Sequence, residues 1–290
     1  MPSSPRLNAI RRRQFCASTL ATLSASVSAG PAVAATVDLD RPQGVLDTLV
    51  RLRGSHSPRP IFWWLTETVY GVVGDRITPL HMGDMGTMVR TVPNGDGSAT
   101  LTQLETVFWT ALDGVTELTT LKNPYTGADN PLTPLVMGPH SVRLTTKGTE
   151  APQQAPGGTM EFASSLGPVV RVGDDIFISS DVMAAVTFAD PEKPQRTVND
   201  LSTYQGRLSD LERASGGFVP AWVTIQSVSS WTSAMDMGGR EGHLVSRAAG
   251  AKVDSIDLMP TLWRTFAARH SPHILKDPEA ALAAAPAKLG

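Results

Sequence analysis

Turn-forming clusters recur along this chain at intervals too short for long helices and well suited to strands. Asn94-Gly95-Asp96-Gly97, Asp113-Gly114, Asn123-Pro124-Tyr125-Thr126-Gly127 and Gly173-Asp174-Asp175 supply the positive φ angles and Asx turns that hairpins require. Between them lie segments rich in β-branched and aromatic residues, which suit a pleated, half-buried surface. The pattern predicts strands over 61–73, 77–92, 99–112, 115–122 and 133–146, arranged as an antiparallel meander. It predicts further strands over 167–172 and 176–188, and a strand pair or one long bent strand over 218–231. Residues 147–159 have no periodicity and predict a flexible surface loop. Residues 198–211 fit either a helix lined by Leu201, Leu208 and Leu211 or a strand containing Tyr204 and Gly206.

Helical spacing is confined to the two ends. Val45, Leu46, Leu49, Val50 and Leu52 form one apolar face of a short helix over 47–53. Pro260 fits the first turn of a helix whose apolar face is Leu262, Trp263 and Phe266, and Asp277-Pro278-Glu279 opens a short Ala-rich tail helix. The expected fold is mainly β: a single antiparallel barrel or sandwich over 35–290, a lipocalin-like barrel being favoured, with a C-terminal helix.

The first 34 residues have a different character. Arg11, Arg12 and Arg13 precede a weakly apolar stretch full of Ser, Thr and Ala, and Ala32-Val33-Ala34 provides a small-x-small cleavage pattern. Arg12-Arg13-Gln14-Phe15 has the twin-arginine form. The sequence thus predicts a twin-arginine signal peptide over 1–34, recognition by the twin-arginine export machinery, cleavage near Ala34-Ala35, and a periplasmic or secreted mature protein. Substrates of that route cross folded, which makes a cofactor a reasonable expectation.

Removing residues 1–34 takes four arginines and no acidic residue from the 25 basic and 27 acidic residues, leaving a net charge of −6. A mature chain of that charge has no general attraction for nucleic-acid phosphates or anionic lipid surfaces. Neither is expected as a partner, and no membrane association is expected after cleavage. Cys16, the one cysteine, falls inside the signal, so the mature chain has no disulfide, thiolate nucleophile or Cys-ligated metal.

Several short stretches together carry a resemblance: Trp64 with Tyr70-Gly71, Asp113-Gly114, Asn123 to Gly127, Gly138-Pro139, Ser230-Trp231, Gly242, Gly250-Ala251-Lys252 and Leu258-Met259-Pro260. They resemble an uncharacterised bacterial family of exported proteins, a domain of unknown function, over roughly 45–272. The resemblance implies a shared fold and no agreed mechanism.

No motif names a reaction. The six histidines, His56, His81, His140, His243, His270 and His273, make no spacing that puts two metal ligands on one helix face. A haem needs one axial ligand and an apolar pocket, and His140 and His243 are the best single candidates, with His81 beside Met82, Met85 and Met88 third. The plainer alternative for each is an ordinary hydrogen-bonded histidine. Glu67, Glu105 and Asp113 lie on or beside predicted strands; inside a barrel such a carboxyl would have a raised pKa and serve as general acid or base. The plainer alternative puts each on a half-exposed sheet face.

Aromatic residues are the most suggestive feature. Trp64, Tyr70 and Trp109 are the expected ligand-pocket residues, and His140 and His243 the expected catalytic pair. Trp63 and Trp64 are neighbours on one strand and must face opposite ways. The functional expectation is an exported enzyme converting a small apolar molecule, aromatic by preference, in a β-barrel pocket, with oxidoreductase or oxygenase chemistry, haem being the candidate cofactor, favoured over a cofactor-free isomerase or lyase. The alternative is a non-catalytic lipocalin-like small-molecule binding protein, with a structural envelope protein third.

Overall fold

Alternation in the first strand sorts its side chains onto two faces. Trp63, Leu65, Glu67 and Val69 are buried on one; Trp64, Thr66, Thr68 and Tyr70 on the other are half-buried. The computed structural model describes residues 37–151, 154–155, 158–190, 195–214 and 217–283; the export signal predicted over 1–34, its cleavage site and the segment 191–194 lie outside the described residues.

The strands are β1 (Ile61–Val73), β2 (Arg76–Pro93), β3 (Ala99–Thr110), β4 (Thr120–Lys122), β5 (Asp129–Pro131), β6 (Leu135–Thr145) and β7 (Gly148–Glu150). They continue as β8 (Gln154–Ala155), β9 (Gly158–Val172), β10 (Asp175–Phe188), β11 (Arg196–Arg207), β12 (Ala221–Ser229) and β13 (His243–Val253). Helices are α1 (Pro42–Arg53), α2 (Leu208–Arg213), α3 (Thr261–His270), α4 (Pro272–Lys276) and α5 (Pro278–Ala283). Eleven strands form one antiparallel sheet in the order β7-β6-β3-β2-β1-β13-β12-β11-β10-β9-β8, while β4 and β5 make a separate two-stranded sheet. The two flanks of the large sheet meet: Ser164 Oγ on β9 donates to the Thr149 carbonyl on β7 at 2.6 Å. A Cβ on Gly148 would stand 2.4 Å from that Ser164 oxygen. The sheet is a nearly closed barrel.

Its lumen is stopped at one end by α1. Leu46, Leu49 and Leu52, spaced three apart, are all but inaccessible and pack with Ile176, Ile178, Leu211 and Val219. Burying each leucine contributes about 1.5–3 kcal/mol. Gly206 on β11 leaves room for Leu52, whose Cδ2 would stand 2.4 Å from an added Cβ. The other end is capped by the excursion between β3 and β6 and by 231–242. There Leu121, Met235 and Met237 pack on Val69, Leu80 and Leu244, and Asn123 and Asn130 both donate to the Met235 carbonyl, at 2.6 and 2.9 Å. Outside, α3 to α5 cover the face of β1 to β3, burying Phe62, Met88, Leu104 and Phe108 under Trp263 and Phe266.

Several elements differ from the sequence-based expectation. The strand predicted over 115–122 shrinks to Thr120–Lys122, because Asp113 closes a tight turn by accepting from the backbone of Val115 and Thr116 and Val115 is left exposed. The loop predicted over 147–159 contains β7, β8 and the first two residues of β9; these pieces are short, the stretch is rich in Gly, Thr, Gln and Pro, and the apolar alternation of Met160 and Phe162 begins only beyond it. The ambiguous 198–211 divides into both predicted forms, β11 then α2. Of the two forms expected for 218–231, a strand pair or one strand, the single strand β12 is present. The helix over 47–53 starts earlier, at Pro42.

Candidate functional site

Inward-facing side chains between α1 and the cap enclose a cavity of about 480 Å³, within the range of small-molecule sites. Its wall is largely apolar, with Trp63, Leu65, Val142, Phe162, Val182 and Val223. Set into it are six polar residues: Arg53, Gln103, Glu105, His140 and Tyr204, which touch one another, and Asp200.

Each is aimed inward by its element. Arg53 ends α1, so the stopper helix delivers a guanidinium to the lumen. In β3, Leu101, Gln103, Glu105, Val107 and Trp109 alternate onto the inner face, opposite Thr91, Val89, Thr87, Met85 and Gly83 of β2. Asp200, Ser202 and Tyr204 alternate likewise on β11. β3 and β11 lie five places apart in the eleven-stranded sheet, so Glu105 and Asp200 belong to opposite walls. His140 reaches the same face as Gln103 through a register shift between Gln103 and Glu105. The shift falls at Gly138, whose φ of 100° and proximity to the Gln103 carbonyl require glycine.

Gln103 is the hub. Its Oε1 accepts from Arg53 Nη2 at 3.1 Å, and its Nε2 donates to Glu105 Oε1 at 2.7 Å and to His140 Nε2 at 3.0 Å. The last contact assigns His140 the tautomer with its proton on Nδ1. Arg53 also lies over the Tyr204 ring, 5.9 Å from its centroid. Trp63 packs edge-on to the same ring at 5.8 Å and donates from Nε1 to the Arg53 carbonyl at 2.8 Å.

Burial dominates the electrostatics. It raises the Glu105 pKa, with the Arg53 charge opposing and Asp200 reinforcing, and raises that of Asp200, with a Ser227 hydrogen bond and Arg53 opposing. Deeper in, Glu67 is pushed up to about 7 by burial, against a hydrogen bond from Ser246, with Asp200 and Glu105 adding their repulsion. His140 is accessible on the cavity wall, yet the surrounding wall and then Arg53 lower its pKa. Carboxyl groups with pKa values raised toward neutrality can give or take a proton at working pH.

The expected site residues divide. His140 is in the cavity. His243 is not: it pairs with Val72, and the neighbouring Leu244 takes the inward position and packs in the cap. The two histidines therefore do not converge. Trp64 faces outward and donates to Asp84 Oδ1 at 2.5 Å. Tyr70 is also on the outer wall, in an open groove of about 710 Å³ with Thr66, Thr68 and Arg247. That groove is larger than the lumen cavity but does not enclose a ligand. Trp109 points inward nearer the cap, edge-on to His81 at 4.9 Å and donating to the Thr133 carbonyl at 2.8 Å. Haem does not fit these residues, since the His140 Nε2 lone pair that would bind iron already accepts from Gln103. Among the described residues no cluster of three or more His, Asp or Glu side chains is arranged to hold a metal ion.

Sequence reasoning missed Arg53, Gln103, Asp200 and Tyr204. Gln103 and Glu105 did leave a trace: two polar residues at alternate positions sharing a face with Leu101 and Val107.

Residues 58–285 match a family model described as "Protein of unknown function (DUF1838)". No curated protein matches the chain. Among solved structures, the chain has a distant likeness to the crystal structure of a DUF1329 family protein from Desulfovibrio piger ATCC 29098, at 8% identity and a TM-score of 0.22. The match covers 77% of this chain and 95% of that one, and at that score nothing further follows from it.

Proposed function

The chain belongs to the DUF1838 family, whose description names no reaction, and we propose its function from the chemistry of its own cavity: it takes a small, largely apolar molecule into the barrel and moves a proton on it. The observation that carries this reading is the pair of half-buried carboxyl groups, Glu105 and Asp200, on opposite walls of one cavity. Gln103 orients Glu105 for proton abstraction by holding one of its oxygens. In ionised form Glu105 takes a proton from a carbon next to a carbonyl, and the electron pair is left as an enolate. Protonated Asp200 returns a proton to another atom of the same molecule. The sum is a shifted double bond, with the two carboxyl groups reset through solvent. Trp63 and Tyr204 offer an aromatic surface for the body of the ligand. Export, read from Arg12-Arg13 and Ala32-Val33-Ala34, would place this chemistry outside the cytoplasm.

The test is solvent exchange. A panel of aromatic ketones is incubated with the mature protein in D2O, and deuterium entry at the carbon next to the carbonyl is followed by NMR. Wild type should exchange at least one member, and Glu105→Gln and Asp200→Asn should each lose about 100-fold, in line with general acid–base contributions. Exchange undiminished in both variants overturns the assignment. Binding without exchange in wild type leaves a carrier of small molecules instead.

A further inference from the structure

We infer that the ligand of this cavity carries a planar anionic group, a carboxylate on an aromatic or alicyclic body, and that the guanidinium of Arg53 receives it. The inference rests on the lumen being the ligand site. Arg53 uses one N–H on Gln103 and lies over the Tyr204 ring. Its remaining N–H groups have no hydrogen-bond partner, and it makes no ion pair, among the described residues. The two other cations at this end of the lumen are already committed. Arg51 donates to the Leu211 and Ala214 carbonyls, and Lys252 donates to the Arg51 and Gly54 carbonyls. Arg51 Nε is also without a partner, but it is buried away from the cavity, so Arg53 is the cation whose spare donors line the ligand space.

The chemistry of the fork selects the class. A guanidinium offers parallel N–H pairs that match the two oxygens of a carboxylate, and its desolvated face stacks on an aromatic ring. Tyr204 and Trp63 fix that stack and give a ring-bearing ligand its apolar wall. Glu105 and Asp200 do not occupy the fork, since neither comes within ion-pair distance of it. They set a condition on the ligand: a bound anion facing Glu105, Asp200, His140, Tyr204 and the deeper Glu67 must be accompanied by a proton taken up on that cluster. Affinity should accordingly fall as pH rises.

Isothermal titration of the mature protein with benzoate and with benzyl alcohol, its neutral counterpart, tests this. Wild type should bind benzoate at least tenfold more tightly, with affinity falling from pH 6 to pH 8 as protons are taken up. Arg53→Gln should erase the preference, and Arg53→Lys, which keeps the charge without the fork, should lose most of it. Arg53→Lys is decisive if Arg53→Gln does not fold. Equal binding of both probes, or benzoate binding unchanged in a folded Arg53 variant, overturns the inference and leaves the lumen site standing. Benzoate binding unchanged by Ala184→Trp, which fills the cavity, or no binding of either probe, overturns both.

Discussion

The ammonium nitrogen of Lys252, on the last strand of the barrel, lies 2.7 Å from the carbonyl oxygen of Arg51 in the last turn of α1. A second bond, to the Gly54 carbonyl at 3.0 Å, completes a cap for the helix that stops the lumen. Burial, then the charge of Arg51, lowers the amine from 10.5 to about 7. Between those values the unfolded chain holds a proton that the folded chain has released, so this residue's contribution to stability rises as pH goes from 7 to 10.5. Lys252→Met should flatten that rise and leave two carbonyls without donors, a loss of roughly 1–3 kcal/mol each. Urea unfolding of both proteins at pH 6, 8 and 9.5 measures it. A constant gap between them across the series refutes the linkage.

Glu67 has the opposite sign. The residue is 8% exposed and its pKa rises from 4.5 to about 7 on folding. The folded state then binds the extra proton, and stability is lost as pH rises from 4.5 through 7. Glu67→Gln should match wild type near pH 4 and exceed it at pH 8 by up to roughly 3 kcal/mol. Thermal melts across that range would show the two curves parting with rising pH; curves that never part would sink the assignment of a buried, strained carboxylate.

Docking of the C-terminal helices depends on Gly86. An added Cβ there would stand 2.3 Å from Trp263 Nε1, which donates to Thr106 Oγ1 at 3.1 Å from a site 1% exposed. Gly86→Ala should displace α3 and cost roughly 1–3 kcal/mol, while Trp263→Ala costs roughly 3–5 kcal/mol. The two losses should fall short of additive, because the first change already dislodges the ring the second removes. Full additivity in a double-mutant cycle would contradict that contact.

Export is tested at the other end of the chain. Replacing Arg12 and Arg13 together by lysine should hold the precursor in the cytoplasm, and sequencing the mature N-terminus should place the cut next to Ala34. Wild-type export of the double variant would rule out the twin-arginine route.

The strands β1, β2 and β3 were legible because apolar alternation and the Asn94 to Gly97 turn agree there; Gly97 takes a φ of 82° as the turn chemistry requires. Alternation gives two phases and does not choose between them. Trp63 and Trp64 were seen to face opposite ways, but only α1 decides that Trp63 is the inner one, through the bond from its indole to Arg53. The same ambiguity misplaced His243, one residue out of phase with Leu244. Half of the cavity was written in β3, where Gln103 and Glu105 interrupt an apolar face. The other half depends on contacts between distant segments: Arg53 becomes a site residue only because its helix folds into the lumen, and Asp200 only because β11 stands across from β3.

The pairing of Phe62 with Val253 has a consequence for when the protein can exist. The middle of the sheet joins an early strand to one emerging roughly two hundred residues later, among the most distant contacts a chain of this size can make. A ribosome that has finished β3 has made a meander with two bare flanks; β6 covers the β3 edge, and the β1 edge stays bare until β13 is out. The ladder between β1 and β13 therefore cannot begin until every other strand of the large sheet has been made. A message cut short ahead of β13 yields two curled ribbons with open borders, which pair with other chains instead of with each other.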